Sequence, residues 1–245
     1  MAKKDLDDMM EFISDTPMFN HNSLEQEDLT WMFGNLKKDQ MLRVLYTQTP
    51  LKKGEMVTYC FKIQLRGITK PPVWRKVEVP SQFTFGAFHL IIQAAFGWFN
   101  YHLHKFALLP YGSPDEIFHK TPDDWNEPWK DERKLTLGEL FGTGETIQKL
   151  CYVYDFGDDW IHDIKIEKVI AEKRSHAICT KGKGACPHED CGGPYAWQAL
   201  KAMGVEPYKD YDDDFAPTDI DPNYFDLDEV ADEVASIKAK DFEDF

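Results

Sequence analysis

Between residues 57 and 65 the apolar side chains Val57, Tyr59, Phe61, Ile63 and Leu65 alternate without a break with Thr58, Cys60, Lys62 and Gln64. A period of two puts the apolar set on one face of an extended strand and the polar set on the other. The chain must therefore supply a cover for one face only. Pro71 and Pro72 end the connection that follows, and residues 73–79 repeat the strand pattern. Two such strands with a short link predict an antiparallel pair. The cover comes next: Thr84 is placed to cap a helix, Phe88, Ile91, Ile92, Ala95 and Phe96 recur at helical spacing, and Gly97 supplies the stop.

Further along, residues 102–109 return to strand periodicity, with His102, His104, Phe106 and Leu108 on one face. A polar excursion with Pro and Trp occupies 111–133, and 136–141 reads as a short helix. Two strands, 150–156 and 160–170, flank Gly157-Asp158-Asp159, a tight-turn signal. Helices are expected at 195–203, ending at Gly204, and at 228–239. The fold class is α+β: a mostly antiparallel sheet with helices packed on one face, a Cys/Gly-rich loop and helical extensions. Residues 1–55 read as an N-terminal extension, partly helical at 23–35 and 40–46. Residues 56–235 form the domain, and 236–245 an acidic tail.

Forty-three acidic residues against 28 basic ones give the chain of 245 residues a net charge of -15. That charge repels phosphate backbones at long range, which favours a protein partner over nucleic acid. Twelve of the carboxylates fall in residues 206–233, a solvated run without the glycine and terminal glutamate of a calcium loop. The first residues are charged and carry no apolar leader core, and no stretch approaches a membrane span. The expectation is a cytoplasmic protein without a membrane role.

Three of the five cysteines crowd into CTKGKGACPHEDCGG as Cys179, Cys186 and Cys191, with His188 among them. Thiolate and imidazole are the ligands zinc prefers, so a structural zinc is one reading and packed, reduced thiols the other. A second constellation is His102 and His104, two apart on a strand and so on one face. The third is YDFGDDWIH, which gathers Asp155, Asp158 and His162 around a turn. Should these segments meet, three imidazoles and several carboxylates would suit a divalent metal and an activated water. The alternative is satisfied core histidines and ordinary turn aspartates. Phosphate loops, dinucleotide fingerprints, the serine elbow and the HExxH helix are all missing.

ITKPPVWRKVEVP, FHLIIQAAFGWFNYHLHKFAL, YVYDFGDDWIHDIKIEKV, ACPHEDCGGPYAW and DPNYFDLDEVADEV stand in this order along the chain. Together they resemble the plasmid pRiA4b ORF-3-like family, also described as IS1096 TnpR-like, a mobile-element-associated domain of unknown function. The resemblance implies an α+β domain and leaves the N-terminal 55 residues outside. It also implies Pro where this chain has His188, which moves attention to the three sulfurs. The leading expectation is a non-enzymatic binding module with a structural zinc on Cys179, Cys186 and Cys191. A metal-dependent hydrolase or nuclease using His102, His104, Asp155, Asp158 and His162 competes with it. Direct DNA binding, suggested by the mobile-element association, is the third.

Overall fold

The computed structural model describes residues 49–111, 116–118, 130–145, 149–172, 174–204 and 221–242. The helical segments expected at 23–35 and 40–46, and most of the acidic run, lie outside the described residues. Strands are β1 (Thr58–Leu65), β2 (Trp74–Pro80), β3 (His104–Ala107), β4 (Ile117–Phe118), β5 (Lys130–Asp131), β6 (Lys149–Tyr154), β7 (Trp160–Ile170) and β8 (Ile178–Lys183). Helices are α1 (Phe85–Phe96), α2 (Leu137–Phe141), α3 (Gly193–Met203) and α4 (Leu227–Ser236). Among the described residues the strands form one sheet in the order β5-β4-β3-β6-β7-β1-β2-β8. Every pairing is antiparallel except β4 with β5.

Register fixes which side chains share a face. Phe61 stands opposite Val77 and Ile166, and Ile63 opposite Arg75 and Ile164. Tyr152 stands opposite Phe106 and His162, and Tyr154 opposite His104 and Trp160. All these residues lie on one side, and α1 covers them. The Phe88 ring sits 4.8 Å from Phe61 and 5.6 Å from Phe106, while Phe96 meets the edge of His162 at 4.9 Å. The helix begins where expected, with Thr84 Oγ1 accepting from Ala87 N, and ends on Gly97 in the left-handed conformation. The opposite face keeps Lys62, Gln64, Lys76, Asp163, Lys165 and Glu167 half-buried or exposed. Ion pairs such as Arg66–Asp163, at 2.7 Å, cross it.

Among the described residues Arg75 is the one arginine turned into the covered face. Its guanidinium donates to the backbone carbonyls of Ala95, Trp74, Lys183 and Gly184, and its plane lies over Phe96 and Phe225. A buried cation needs such hydrogen bonding, and four of the five N–H donors have it here. The bonds tie the sheet edge to the end of α1. α4 packs against both α1 and β8. Residues 237–242 then run back over the start of α1, where Ala239 O accepts from Thr84 N and Phe242 rests against Gly86.

The strand β8 is absent from the sequence reading. ICTKGK carries no apolar alternation, because Thr180, Lys181, Gly182 and Lys183 follow one another without an apolar residue. Its pairing with β2 sets Cys179 opposite Val77, so this cysteine belongs to the sheet edge and not to the loop. Phe88→Ala should destabilise the protein by about 3–5 kcal/mol, because it removes a ring shared by β1 and β3. Denaturant unfolding measures this; a loss below about 1 kcal/mol would contradict the packing described.

Candidate functional site

Residues 184–192, joining β8 to α3, form a strap across the end of the sheet where β6 and β7 turn. Pro187 O accepts from Trp98 Nε1 at 2.8 Å. Glu189 accepts from Phe99 N at 2.8 Å through one carboxylate oxygen and from the Tyr154 hydroxyl through the other. Gly192 N donates to Asp158 Oδ2 at 2.9 Å. A Cβ on Gly193 would fall 2.4 Å from Asp158 O, so only glycine lets the strap approach the turn this closely. Trp98 stacks on Tyr154 with ring centres 5.0 Å apart, completing an aromatic seat under the strap.

The cysteines serve this packing. Cys179 and Cys191 are buried in the hydrophobic core and Cys186 packs against it. Burial pushes the Cys186 thiol up, with Arg75 pulling the other way, and pushes Cys191 up to about 12, with Asp158 adding to the rise. Cys179 is raised by burial as well. His188 sits edge-on to Trp197 at 6.2 Å. Among the described residues the three sulfurs do not form a group with all ligand atoms within 4.8 Å of one another; His102, Asp155 and Asp190 do.

The expected histidine cluster divides. His102 and Asp155 come together at the mouth of the β6–β7 turn, 3.7 Å apart, with Asp190 of the strap 3.0 Å from His102. His104 lies on the covered face, bonded to Glu132 at 2.7 Å with both side chains enclosed. Its ring stacks parallel on His89 at 3.5 Å, and His89 in turn bonds Tyr152 and Asn100. His162 is enclosed by Phe96, Trp98 and Tyr152 and contacts Trp160 O at 3.1 Å. Asp158 holds the strap. Sequence reasoning missed Glu132, Glu189 and Asp190, which sit in stretches without periodicity and become partners only through distant contacts.

Beside the strap opens a pocket of about 760 Å³ between the end of α1, α3 and α4. Phe96, Trp98, Phe99, Trp197, Tyr224 and Phe225 line it, with Arg75 among them. Among the described residues, Asp221, Asp226, Glu229 and Glu233 are the carboxylates of its lining. Phe225 reaches its place because β8 has glycine at 182, where a Cβ would meet the ring at 2.4 Å. Phe99 and Tyr224 remain 72% and 59% exposed. No helix among the described residues is long and apolar enough to cross a membrane.

Burial drives His162 from 6.5 down to about 3, and burial with the neighbouring His104 lowers His89 in the same direction. In the unfolded chain a histidine titrates near 6.5. As pH falls from about 6.5 toward about 3, the unfolded chain binds a proton that folded His162 refuses, so stability is present above this window and lost within it. The full shift corresponds to a loss on the order of 5 kcal/mol. Denaturation midpoints should drop between about pH 7 and about pH 4.5, and His162→Leu should flatten the slope. A pH-independent wild-type midpoint would refute this.

The family described as plasmid pRiA4b ORF-3-like protein matches residues 57–229. Uncharacterized protein y4hQ of Sinorhizobium fredii is 35% identical over 142 residues, covering 56% of this chain and 69% of that protein. The crystal structure of MM3350, a protein of unknown function from Methanosarcina mazei Go1, is similar at 34% identity with a TM-score of 0.58. That match covers 72% of this chain and 98% of the archaeal one. The matched span takes in β1, the α1 cover, the β6–β7 turn, the strap and the start of α4, and the chain belongs to the plasmid pRiA4b ORF-3-like family.

Proposed function

We propose that the protein is a binding module that receives a cationic, partly apolar segment of a partner protein in the pocket beside the strap. The lining of that pocket carries the reading. Six aromatic rings line it, of which Phe99 and Tyr224 stay largely exposed to a Lys or Arg side chain and its apolar neighbours, and four carboxylates attract the charge. The one arginine there already has its donors on four backbone carbonyls and its plane on two phenylalanines. It therefore serves as structure and forms no ion pair with those carboxylates. A volume of about 760 Å³ suits a few side chains of a peptide. The same carboxylates, with a net charge of -15, oppose a nucleic-acid backbone.

Calorimetry with short peptides tests the reading. A peptide bearing Lys or Arg beside Leu or Trp should bind, and Glu229→Lys with Glu233→Lys should weaken it by at least about tenfold. Raised salt should act in the same direction. Equal binding of a neutral or acidic peptide would sink the proposal, as would tighter retention on duplex DNA.

A structural zinc on Cys179, Cys186 and Cys191 is a separable proposal. It is supported by the crowding of three thiols into thirteen residues, and Arg75 offsets part of the rise that burial gives Cys179 and Cys186. It requires the three sulfurs to draw together and lose protons that burial favours. Metal analysis of the purified protein should then find one zinc per chain, lost in Cys186→Ser and Cys191→Ser. A zinc-free wild type of unchanged stability would refute it.

A further inference from the structure

His102, Asp155 and Asp190 come from three separated segments: the loop after α1, the residue that follows β6, and the strap. His102 Nε2 lies 3.0 Å from Asp190 Oδ1 and 3.7 Å from Asp155 Oδ2. All three ligand atoms fall within 4.8 Å of one another. Two observations distinguish the group from a surface ion pair. First, His102 Nε2 is sealed from solvent yet makes no hydrogen bond. Asp190 Oδ1 is close enough for one, so it must lie off the axis of the ring nitrogen. Second, Asp155 is only 8% exposed, and its Oδ1 accepts from Gly157 N and Asp158 N. Those bonds leave Oδ2 turned to His102.

A hydrogen-bonded pair would set one carboxylate in line with the nitrogen. Here two carboxylates flank a buried imidazole nitrogen instead, an arrangement that suits ligands sharing a cation. We propose that His102 Nε2, Asp155 and Asp190 bind a divalent transition cation of the Zn²⁺ or Mn²⁺ class. One imidazole and two carboxylates match that class better than Ca²⁺ or Mg²⁺, which take oxygen ligands alone. Two carboxylates also balance the charge of the ion. Three protein donors leave coordination positions for water, and His102 keeps 28% of its side chain exposed at the mouth. The site stands apart from the peptide pocket and does not depend on it.

The full chain, stripped by a chelator and dialysed, is titrated with Mn²⁺ while the free-ion paramagnetic resonance signal is followed, and with Zn²⁺ by calorimetry. One ion per chain should bind, with Zn²⁺ displacing Mn²⁺. His102→Ala and Asp190→Asn should each weaken uptake by at least about tenfold. Asp190 is exposed, so its variant should keep the wild-type circular dichroism and unfolding midpoint. Uptake of either ion that falls in both variants supports the site. No uptake of either ion overturns it. Zn²⁺ binding that is unchanged in both variants and lost in Cys186→Ser also overturns it, and assigns the ion to the cysteines.

Discussion

One face of the sheet is buried and the other is wet, and a single helix does most of the covering. α1 lays Phe85, Phe88, Ile92 and Phe96 over strands whose alternation offers it Phe61, Ile63, Phe106 and Tyr152. Each such side chain contributes about 1.5–3 kcal/mol when fully buried. Polar groups that fall on the same face by the period of two must then find partners inside. Arg75 takes four carbonyls and His104 takes Glu132, while from the helix His89 takes Tyr152 and Asn100. These bonds add specificity to a cover that apolar packing alone would leave free to slide.

The strap between β8 and α3 depends on that cover. It seats on Trp98 and Phe99 at the end of α1, on Tyr154 at the end of β6, and on Asp158 at the turn. In doing so it forms a wall of the aromatic pocket on one side and brings Asp190 to His102 on the other. Of the cysteines that mark this stretch in the sequence, Cys186 and Cys191 belong to the strap and pack on the core, and Cys179 is buried on β8. Its carbonyls, carboxylates and glycines make the polar contacts above.

Periodicity reveals the sheet and its cover because both are repeated, local patterns. β7 spans Trp160–Ile170 as read, and α1 starts on Thr84 and stops on Gly97. β8 escapes the same reasoning, since ICTKGK is held in place by β2 and not by its own alternation. The histidines show the limit most clearly. The expected strand over 102–109 begins only at His104, so His102 stays in the preceding loop at a partly exposed mouth while His104 enters the core against Glu132. The period of two that would set both rings on one face holds only within the strand and does not reach back to His102.

By itself the sequence determined the α+β class, the covered face, the principal caps and stops, and the acidity that disfavours phosphate. Each follows from neighbours in the chain or from summed charge. Only the tertiary structure decided which carboxylates serve which histidines and where the pocket opens. Glu132, Glu189 and Asp190 meet partners 28, 35 and 88 residues away in the chain, on His104, Tyr154 and His102. A contact across such a distance is set by sheet register and strap placement, and no local pattern of residues encodes it.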